Sequence, residues 1–400
     1  MRILILSFYY PPDLSAGSFR TAALVDSLLK HVRDDISIDV VTTQPNRYRA
    51  LAQSAPGIER RERLTVHRIK LPPHHSGMID QSKAFFSYFR GALKATKGRQ
   101  FDLVYATSSR LFTGFLGARL ARSLGCPLYL DIRDIFVDTI DSVVPRAAST
   151  LLHPFLSLIE RYTIGAAQRV NLVSGGFLPY FQTRYPDCRF DLFTNGIDEA
   201  FLEYPWQNPA KRNRDPKIKV MYAGNIGEGQ GLHRIIPQLA KALAKTHSFL
   251  VVGDGGRRAI LESELARQGV LNVELHDPVR REQLLNFYDE ADVLFLHLND
   301  YDAFTKVLPS KVFEYAATGK PILAGVSGYC AQFITEEIST ATVFPPCNVE
   351  SGIRAMTSLK LDCVARRGSL ERYRRVNIMN GLSDILVEMA RPRVVEGVLP

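Results

Sequence analysis

The chain has 400 residues, 46% hydrophobic and 23% charged, without a low-complexity tract, a charged tail or a repeat at solenoid or propeller spacing. That is the composition of an ordinary globular protein, and the length exceeds what one hydrophobic core covers, so two domains are expected. The net charge of +9 is lopsided, with 25 Lys and Arg against 17 Asp and Glu in residues 1–198 and 25 against 24 in the remainder, and a basic first half suits nucleic acid, an anionic bilayer or a phosphorylated ligand.

The first ten residues carry the apolar run Ile3-Leu4-Ile5-Leu6. It is too short for a signal peptide and reads as a buried first strand; no stretch reaches the roughly 18 apolar residues of a membrane span, so a cytoplasmic protein is expected. Short apolar runs then alternate with amphipathic stretches, the pattern of a parallel sheet wrapped by helices. Strands are predicted over 3–8, 37–42, 64–69, 103–106, 128–131, 169–173 and 191–194, and helices over 18–31, 81–97, 111–124, 148–167 and 176–184. After a polar, proline-containing stretch a second series predicts strands over 218–222, 249–252, 273–276, 293–296, 322–324 and 341–344. Its helices fall over 232–244, 257–267, 281–288, 311–317, 329–336 and 349–359, with a last long helix over 370–389. Two such series give an α/β chain of two Rossmann-like doubly wound domains, whose ligands bind in loops after the strands. Cys126, Cys188, Cys330, Cys347 and Cys363 lack metal-type spacing and are expected as free thiols in a reducing compartment.

Those loops hold the candidate chemistry. Pro11-Pro12 stops the first strand and Gly17 opens a helix whose N-terminus favours an anionic or hydroxyl-rich ligand, although a plain strand–helix turn reads the same way. Leu130-Asp131-Ile132-Arg133-Asp134 puts three charges at a strand end. Asp131 or Asp134 could serve an acceptor hydroxyl there, or an Asp–Arg pair could pin the loop. Ala223-Gly224-Asn225-Ile226-Gly227-Glu228-Gly229-Gln230-Gly231 runs from a strand into a helix, as phosphate-cradling turns do, without the Lys-Ser/Thr of a Walker loop. Val252-Gly253-Asp254-Gly255 repeats the design, with Asp254 at the ligand edge. Pro309-Ser310 starts a helix that Gly319 ends, and Ser310, Lys311 and Glu314 share one face. A carboxylate there can accept both hydroxyls of a ribose, and Lys306 and Lys311 can meet phosphate charge.

Pro309-Ser310-Lys311, Glu314-Tyr315 and Thr318-Gly319-Lys320-Pro321-Ile322 together resemble the donor-binding helix of family 4 retaining glycosyltransferases. The Gly224 turn, the Gly253 turn, Asn195-Gly196-Ile197-Asp198 and the opening Tyr-Tyr-Pro-Pro loop follow in that family's order. The resemblance covers nearly the whole chain and is nearest to O-antigen and capsule enzymes of the fucosamine transferase type. It implies the GT-B architecture, with two domains facing across a cleft. Residues 1–198 would bind the acceptor, 199–216 would link, 217–368 would bind the nucleotide sugar, and 369–400 would cross back to the first domain. It also implies that Glu314 holds the donor ribose, that Gly224, Asn225 and Gly227 lie against the diphosphate with Lys311, and that Gly17 faces it from the first domain. Two departures stand out. Lys306 occupies the place of the family's first glutamate, and Asn225 and Gln230 stand where many members carry Arg and Lys. The diphosphate is then left to Lys306, Lys311, Arg280, Arg281 or backbone amides, with Asp254, Val307 and Ser310 also expected at the donor site.

The function expected is transfer of a sugar, with retention, from a nucleotide sugar, UDP-linked by first choice, to a saccharide or lipid-linked acceptor. Asp131, Asp134, Lys306 and Lys311 are the candidate catalytic groups. The nucleotide sugar is a substrate rather than a cofactor, and no Asp-x-Asp motif is placed as metal-dependent transferases use it, so no metal is expected. Residues 82–97 place Phe85, Phe86, Phe89 and Leu93 on one helical face beside Lys83, Arg90, Lys94 and Lys97. That suits a peripheral contact with an anionic inner leaflet, or a core-packed helix with a wet basic face. A sugar-nucleotide epimerase of the same architecture and a nucleic-acid-binding protein are the alternatives. Scattered basic residues and the lack of an RNP or zinc motif speak against nucleic acid as a partner.

Overall fold

The computed structural model describes residues 1–13, 15–32, 35–45, 55–72, 78–108, 111–135, 137, 146–207, 217–364 and 370–391. The chain divides into two compact units, residues 1–195 with 376–400, and residues 196–375.

The first unit is built on an eight-stranded sheet in the order β3-β4-β2-β1-β5-β6-β7-β8. Its strands are β1 (Arg2–Leu6), β2 (Ser37–Thr43), β3 (Ile58–Arg61), β4 (Leu64–Ile69), β5 (Leu103–Thr107), β6 (Leu128–Ile132), β7 (Arg169–Leu172) and β8 (Phe190–Asp191). All pair in parallel except β3, which runs antiparallel to β4. Continuous apolar runs such as Ile3-Leu4-Ile5-Leu6 are buried on both faces, as a helix-covered parallel sheet requires. Sequence reading missed β3 because Ile-Glu-Arg-Arg offers one apolar residue and no alternation. It is an exposed edge strand, and charge suits an edge that must not recruit another chain.

Helix Arg375–Ala390 buries Met379, Leu382 and Leu386 in the first unit's core beside Leu24, Val25 and Leu28 of helix Ala16–Lys30. Ser383 Oγ lies 2.8 Å from Ser27 Oγ, whose hydroxyl also donates to Asn380 Oδ1 at 2.8 Å. Helix Met78–Thr96 turns Ala84, Tyr88 and Ala92 inward, so the expected apolar face is largely taken up. Phe85 meets Phe112 at 5.1 Å and Phe89 meets Phe115 at 6.5 Å, both on helix Leu111–Leu124. Phe86 is the large exposed residue of that face, 60% accessible, with the Arg90 guanidinium 5.8 Å from its ring. No helix among the described residues is long and apolar enough to cross a membrane.

The second unit's sheet is wholly parallel, in the order β11-β10-β9-β12-β13-β14. Its strands are β9 (Ile218–Ala223), β10 (His247–Val252), β11 (Val273–His276), β12 (Val293–His297), β13 (Ile322–Gly325) and β14 (Ala341–Phe344). This is the doubly wound order with its switch point between β9 and β12, and sheets of this order bind ligands beyond the carboxyl ends of the strands at that point. Part of the expected linker is integral to this unit. Glu199–Glu203 is a short helix whose Phe201 is buried in the core against Tyr288, because an aromatic at that point gains more from packing than from solvent. Residues 208–216 lie outside the described residues.

Candidate functional site

At the switch point of the second unit, the two glycine turns form one laminated structure. Gly224 and Gly253 adopt φ of 154° and 151°, backbone open to glycine. A Cβ on Gly253 would fall 1.8 Å from the Gly224 carbonyl oxygen, so the turns can approach this closely only without a side chain. Gly224 N–H donates to Val252 O and Ile226 N–H to Asp254 O, both at 2.9 Å. Tyr222 Oη donates to Asn225 O at 2.7 Å, and Asn225 Nδ2 to Gln230 Oε1 at 2.8 Å, fixing the turn that carries Gly227. Asp254 is exposed, its Oδ1 accepting from Gly255 N–H at 2.8 Å.

Over this turn lies the start of helix Lys311–Thr318, with Ser310 at its N-cap and Gly319 at its left-handed C-cap. A Cβ on Gly224 would sit 3.7 Å from Lys311 Cε, so the lysine stem crosses the turn. Lys311 Nζ donates to Glu314 Oε2 at 2.6 Å and to Tyr288 Oη at 2.9 Å, and Tyr288 Oη donates to the same Glu314 oxygen at 3.1 Å. Burial works to raise the Glu314 carboxyl. The Lys311 ammonium beside it, with Arg281 and Arg375, outweighs burial and holds it below its ordinary range. Tyr315 Oη accepts from Ala223 N–H at 3.2 Å, tying the helix to β9.

The structure therefore brings Gly224, Lys311 and Glu314 together, with Asn225 and Gly227 on the same loop. Lys306 closes the turn Asp302–Lys306, and Val307 packs on the core as the chain enters the helix. Arg280 is an exposed N-cap without a side-chain capping bond. Its neighbour Arg281 is the cation that reaches toward the Glu314 field, bound to Asp198 and lying 5.5 Å from the Phe201 ring.

Sequence reading missed the groups behind the loop. Tyr301 Oη donates to Glu228 Oε1 at 2.5 Å, Asn299 Nδ2 donates to Glu228 O at 2.8 Å, and Arg257 pairs with the Glu228 carboxylate. His297, at the end of β12, lies with Nδ1 2.7 Å from Gln230 O and Nε2 3.0 Å from Cys347 N. A backbone amide only donates and a carbonyl only accepts, so Nδ1 carries the proton and the ring is neutral. A lone histidine after Leu-Phe-Leu carried no signal beyond a core position. Burial pushes its pKa down from 6.5 to about 4. The unfolded chain therefore binds an extra proton between those values, and stability is complete above pH 6.5 and falls as pH drops toward 4. A loss of up to about 3 kcal/mol is expected. Melting temperature against pH measures it, and His297→Gln should flatten the slope; an unaltered slope would place the acid sensitivity elsewhere.

In the first unit the expected catalytic role of Asp131 is corrected. Asp131 is fully buried, and its carboxylate is saturated by Arg20 Nε and Nη2, both at 2.9 Å, and by Asn171 Nδ2 at 2.6 Å. Arg20, itself buried, also donates to Thr194 O at 2.5 Å and Phe193 O at 2.9 Å. The pair is structural, and Asp131's partner is Arg20 from helix Ala16–Lys30 rather than the neighbouring Arg133. Asp134 remains exposed. Gly17 lies in the first turn of that helix, which Ser15 Oγ caps by accepting from Ser18 N–H at 3.2 Å.

Residues 21–195 match the glycosyl transferase 4-like domain and residues 217–362 match glycosyl transferases group 1. Over 176 residues the chain is 29% identical to WcaI of Escherichia coli (strain K12), a proposed colanic acid biosynthesis glycosyl transferase. That match covers 41% of this chain and 42% of WcaI, less than half of either. Sucrose-phosphate synthase from Thermosynechococcus elongatus is similar in structure, with a TM-score of 0.70 at 14% identity over 98% of this chain and 96% of its own. WaaG, a glycosyltransferase involved in lipopolysaccharide biosynthesis, gives 0.65 at 15% over 99% and 100%. Anabaena HepE in complex with UDP and glucose gives 0.61 at 15% over 98% and 97%. At these identities the likenesses establish the fold.

Proposed function

Because this chain belongs to the GT-B glycosyltransferases, we propose that it moves a sugar from a nucleotide sugar, UDP-linked by first choice, to a saccharide acceptor. The observation that carries this reading is the Lys311–Glu314–Tyr288 cluster lying over the Gly224 turn at the switch point of the second sheet. A carboxylate kept ionised can accept two vicinal ribose hydroxyls. The adjoining glycine turn admits a diphosphate against backbone amides, and the Lys311 ammonium supplies charge. WcaI is described by colanic acid biosynthesis and WaaG by lipopolysaccharide biosynthesis, and HepE was solved with UDP and glucose, which supports a UDP-linked donor and a polysaccharide process here.

In the proposed reaction the anomeric carbon–oxygen bond breaks with its electron pair on the diphosphate. The acceptor oxygen bonds to that carbon with retention, and its proton passes to the departing diphosphate oxygen. Lys311, Lys306 and the glycine-turn amides stabilise the departing charge, while Glu314 fixes the nucleoside. Gly17 and Asp134 are assigned to substrate contact in the first domain. No metal or cofactor has a role in this scheme.

The acceptor is proposed to be lipid-linked and met at the inner face of the membrane by a cytoplasmic enzyme, of the fucosamine transferase type. Exposed Phe86, Phe155 and Leu158 with Arg90 and Arg161 nearby in sequence support a peripheral contact. In flotation with liposomes containing anionic lipid, the protein should rise with the vesicles at low salt and less at high salt. Protein left at the bottom of the low-salt gradient refutes the membrane contact while leaving the transferase reading intact. The donor is tested by stabilisation with UDP, GDP and ADP, treated with Glu314 below.

A further inference from the structure

The first unit holds a cavity of 360 Å³ between helix Arg146–Ile164 and helix Leu178–Arg184. Small-molecule sites span roughly 300–1,000 Å³, so the space is enough for a ligand. Its floor is Glu160, 5% exposed, whose carboxylate accepts from Tyr185 Oη at 3.0 Å and, at 3.3 Å to each oxygen, from Tyr180 Oη. Burial first, and then the Glu160 carboxylate, push the Tyr185 phenol upward, so it stays a neutral donor. Exposed His153, Arg161 and Arg184 form the rim. The Arg184 guanidinium is held there, 3.7 Å from the centre of the Tyr180 ring, with Nη1 donating to Tyr180 O at 3.2 Å.

The cavity is separate from the loops that carry the substrate chemistry. Helix Arg146–Ile164 leads from β6 into β7, and helix Leu178–Arg184 leads from β7 into β8, all three strands being parallel. A helix joining parallel strands runs back from their carboxyl ends to their amino ends. Glu160, Arg184 and Tyr185 stand near the ends of these two helices and so lie toward the amino ends of the sheet, whereas the ligands of such a sheet bind at the carboxyl ends. The cavity is also separate from the exposed apolar residues of the same helix. At about 100° per residue, Phe155 and Leu158 sit roughly 140–160° around the helix from Glu160.

A carboxylate at the floor accepts protons from hydroxyl groups, and guanidinium groups at the rim donate to an anion. Two arginines against one glutamate leave the cavity net positive. A hydroxyl-rich molecule with one negative group matches both levels, whereas a bare anion is repelled by the floor and a cation by the rim. We propose that this cavity is a second saccharide site, which takes an acidic sugar with its anionic group on Arg161 and Arg184 and its ring hydroxyls on Glu160. It holds a sugar away from the transfer chemistry rather than the reacting end of the acceptor. That this sugar belongs to a growing polysaccharide rests on the transferase reading; the saccharide site does not.

The test uses the full chain with glucuronate, glucose 6-phosphate, glucose and inorganic phosphate at millimolar concentrations, read by saturation-transfer NMR and calorimetric titration. The wild type should bind an acidic sugar more tightly than either glucose or phosphate. Arg184→Gln alters an exposed side chain and should weaken the acidic sugar roughly tenfold. Glu160→Gln should shift the preference from the acidic sugar toward phosphate, because the floor no longer repels the bare anion; a merely structural glutamate would not produce that shift. Glu314→Ala should bind the acidic sugar as the wild type does. Preference for glucuronate assigns a uronate, preference for glucose 6-phosphate assigns a phosphorylated sugar, and equal binding of the two supports the chemistry they share. Absence of acidic-sugar binding by the wild type, equal affinity for glucose, unchanged affinity in Arg184→Gln, or displacement by UDP together with loss in Glu314→Ala overturns the proposal. If Glu160→Gln fails to fold, Arg184→Gln decides alone. If no nucleotide binds while the Arg184-dependent sugar binding persists, the transferase reading falls and the saccharide site stands.

Discussion

Asp131→Ala should lower stability by about 3–5 kcal/mol, because it leaves the buried Arg20 guanidinium without its counter-charge. For a unit of this size that corresponds to a fall of about 10 °C in melting temperature. Both side chains are essentially sealed from solvent and joined by two bonds of 2.9 Å, and Asn171 adds a third to Asp131 at 2.6 Å. Burial alone would raise the Asp131 carboxyl; Arg20, then Arg133 and Asn171, bring it below its ordinary 3.8. The sign follows from that depression. The pair's contribution is complete above the unfolded value and is lost as pH falls through the lower folded value, so acid-induced loss of the first unit should begin below about pH 4. Differential scanning calorimetry measures the shift. Assays well below the melting point then separate structure from chemistry, since the folded variant should keep its turnover. An unchanged melting point with turnover abolished would restore Asp131 to the catalytic groups.

Glu314→Ala should cost donor binding rather than folding. Its side chain sits at the edge of the core with a little solvent access, and its known partners, Lys311 and Tyr288, retain one another at 2.9 Å when it is removed. A hydrogen bond to a charged group contributes about 1.5–3 kcal/mol. Losing the pair to a ribose should therefore reduce nucleotide affinity roughly a hundredfold or more. The readout is thermal stabilisation of wild type and variant by UDP, GDP and ADP. A ligand at a hundred times its Kd adds about 2.7 kcal/mol. Stabilisation of the wild type by one nucleotide class, abolished in Glu314→Ala, fixes the base and supports the ribose contact. Equal stabilisation of both proteins removes Glu314 from the site, and no stabilisation by any nucleotide removes the donor reading. The variant also releases Lys311 from its 2.6 Å bond, so a residual affinity for free pyrophosphate that exceeds that of the wild type is compatible with the assigned roles.

The sequence by itself determined the alternation of strands and helices, because burial on both faces of a parallel sheet demands uninterrupted apolar runs such as Ile3-Leu4-Ile5-Leu6 and Val293-Leu294-Phe295-Leu296. It also marked the loops after β9 and β10 and the helix beginning at Lys311, since glycine at extreme φ, proline before a helix and glycine after it are local requirements of the backbone. It could not show β3, whose charged residues are those of an edge that any polar loop might resemble. Nor could it pair charges. Asp131 and Arg133 are two apart in sequence, which on a strand puts them toward one face, yet the bonded partner of Asp131 came from residue 20, 111 positions away. The same holds for Tyr288 beside Glu314 and for His297 between Gln230 and Cys347. Only tertiary structure decided these, because the energy of a buried charge or ring nitrogen depends on which groups meet it after the chain has closed, and spacing along the chain carries no record of that.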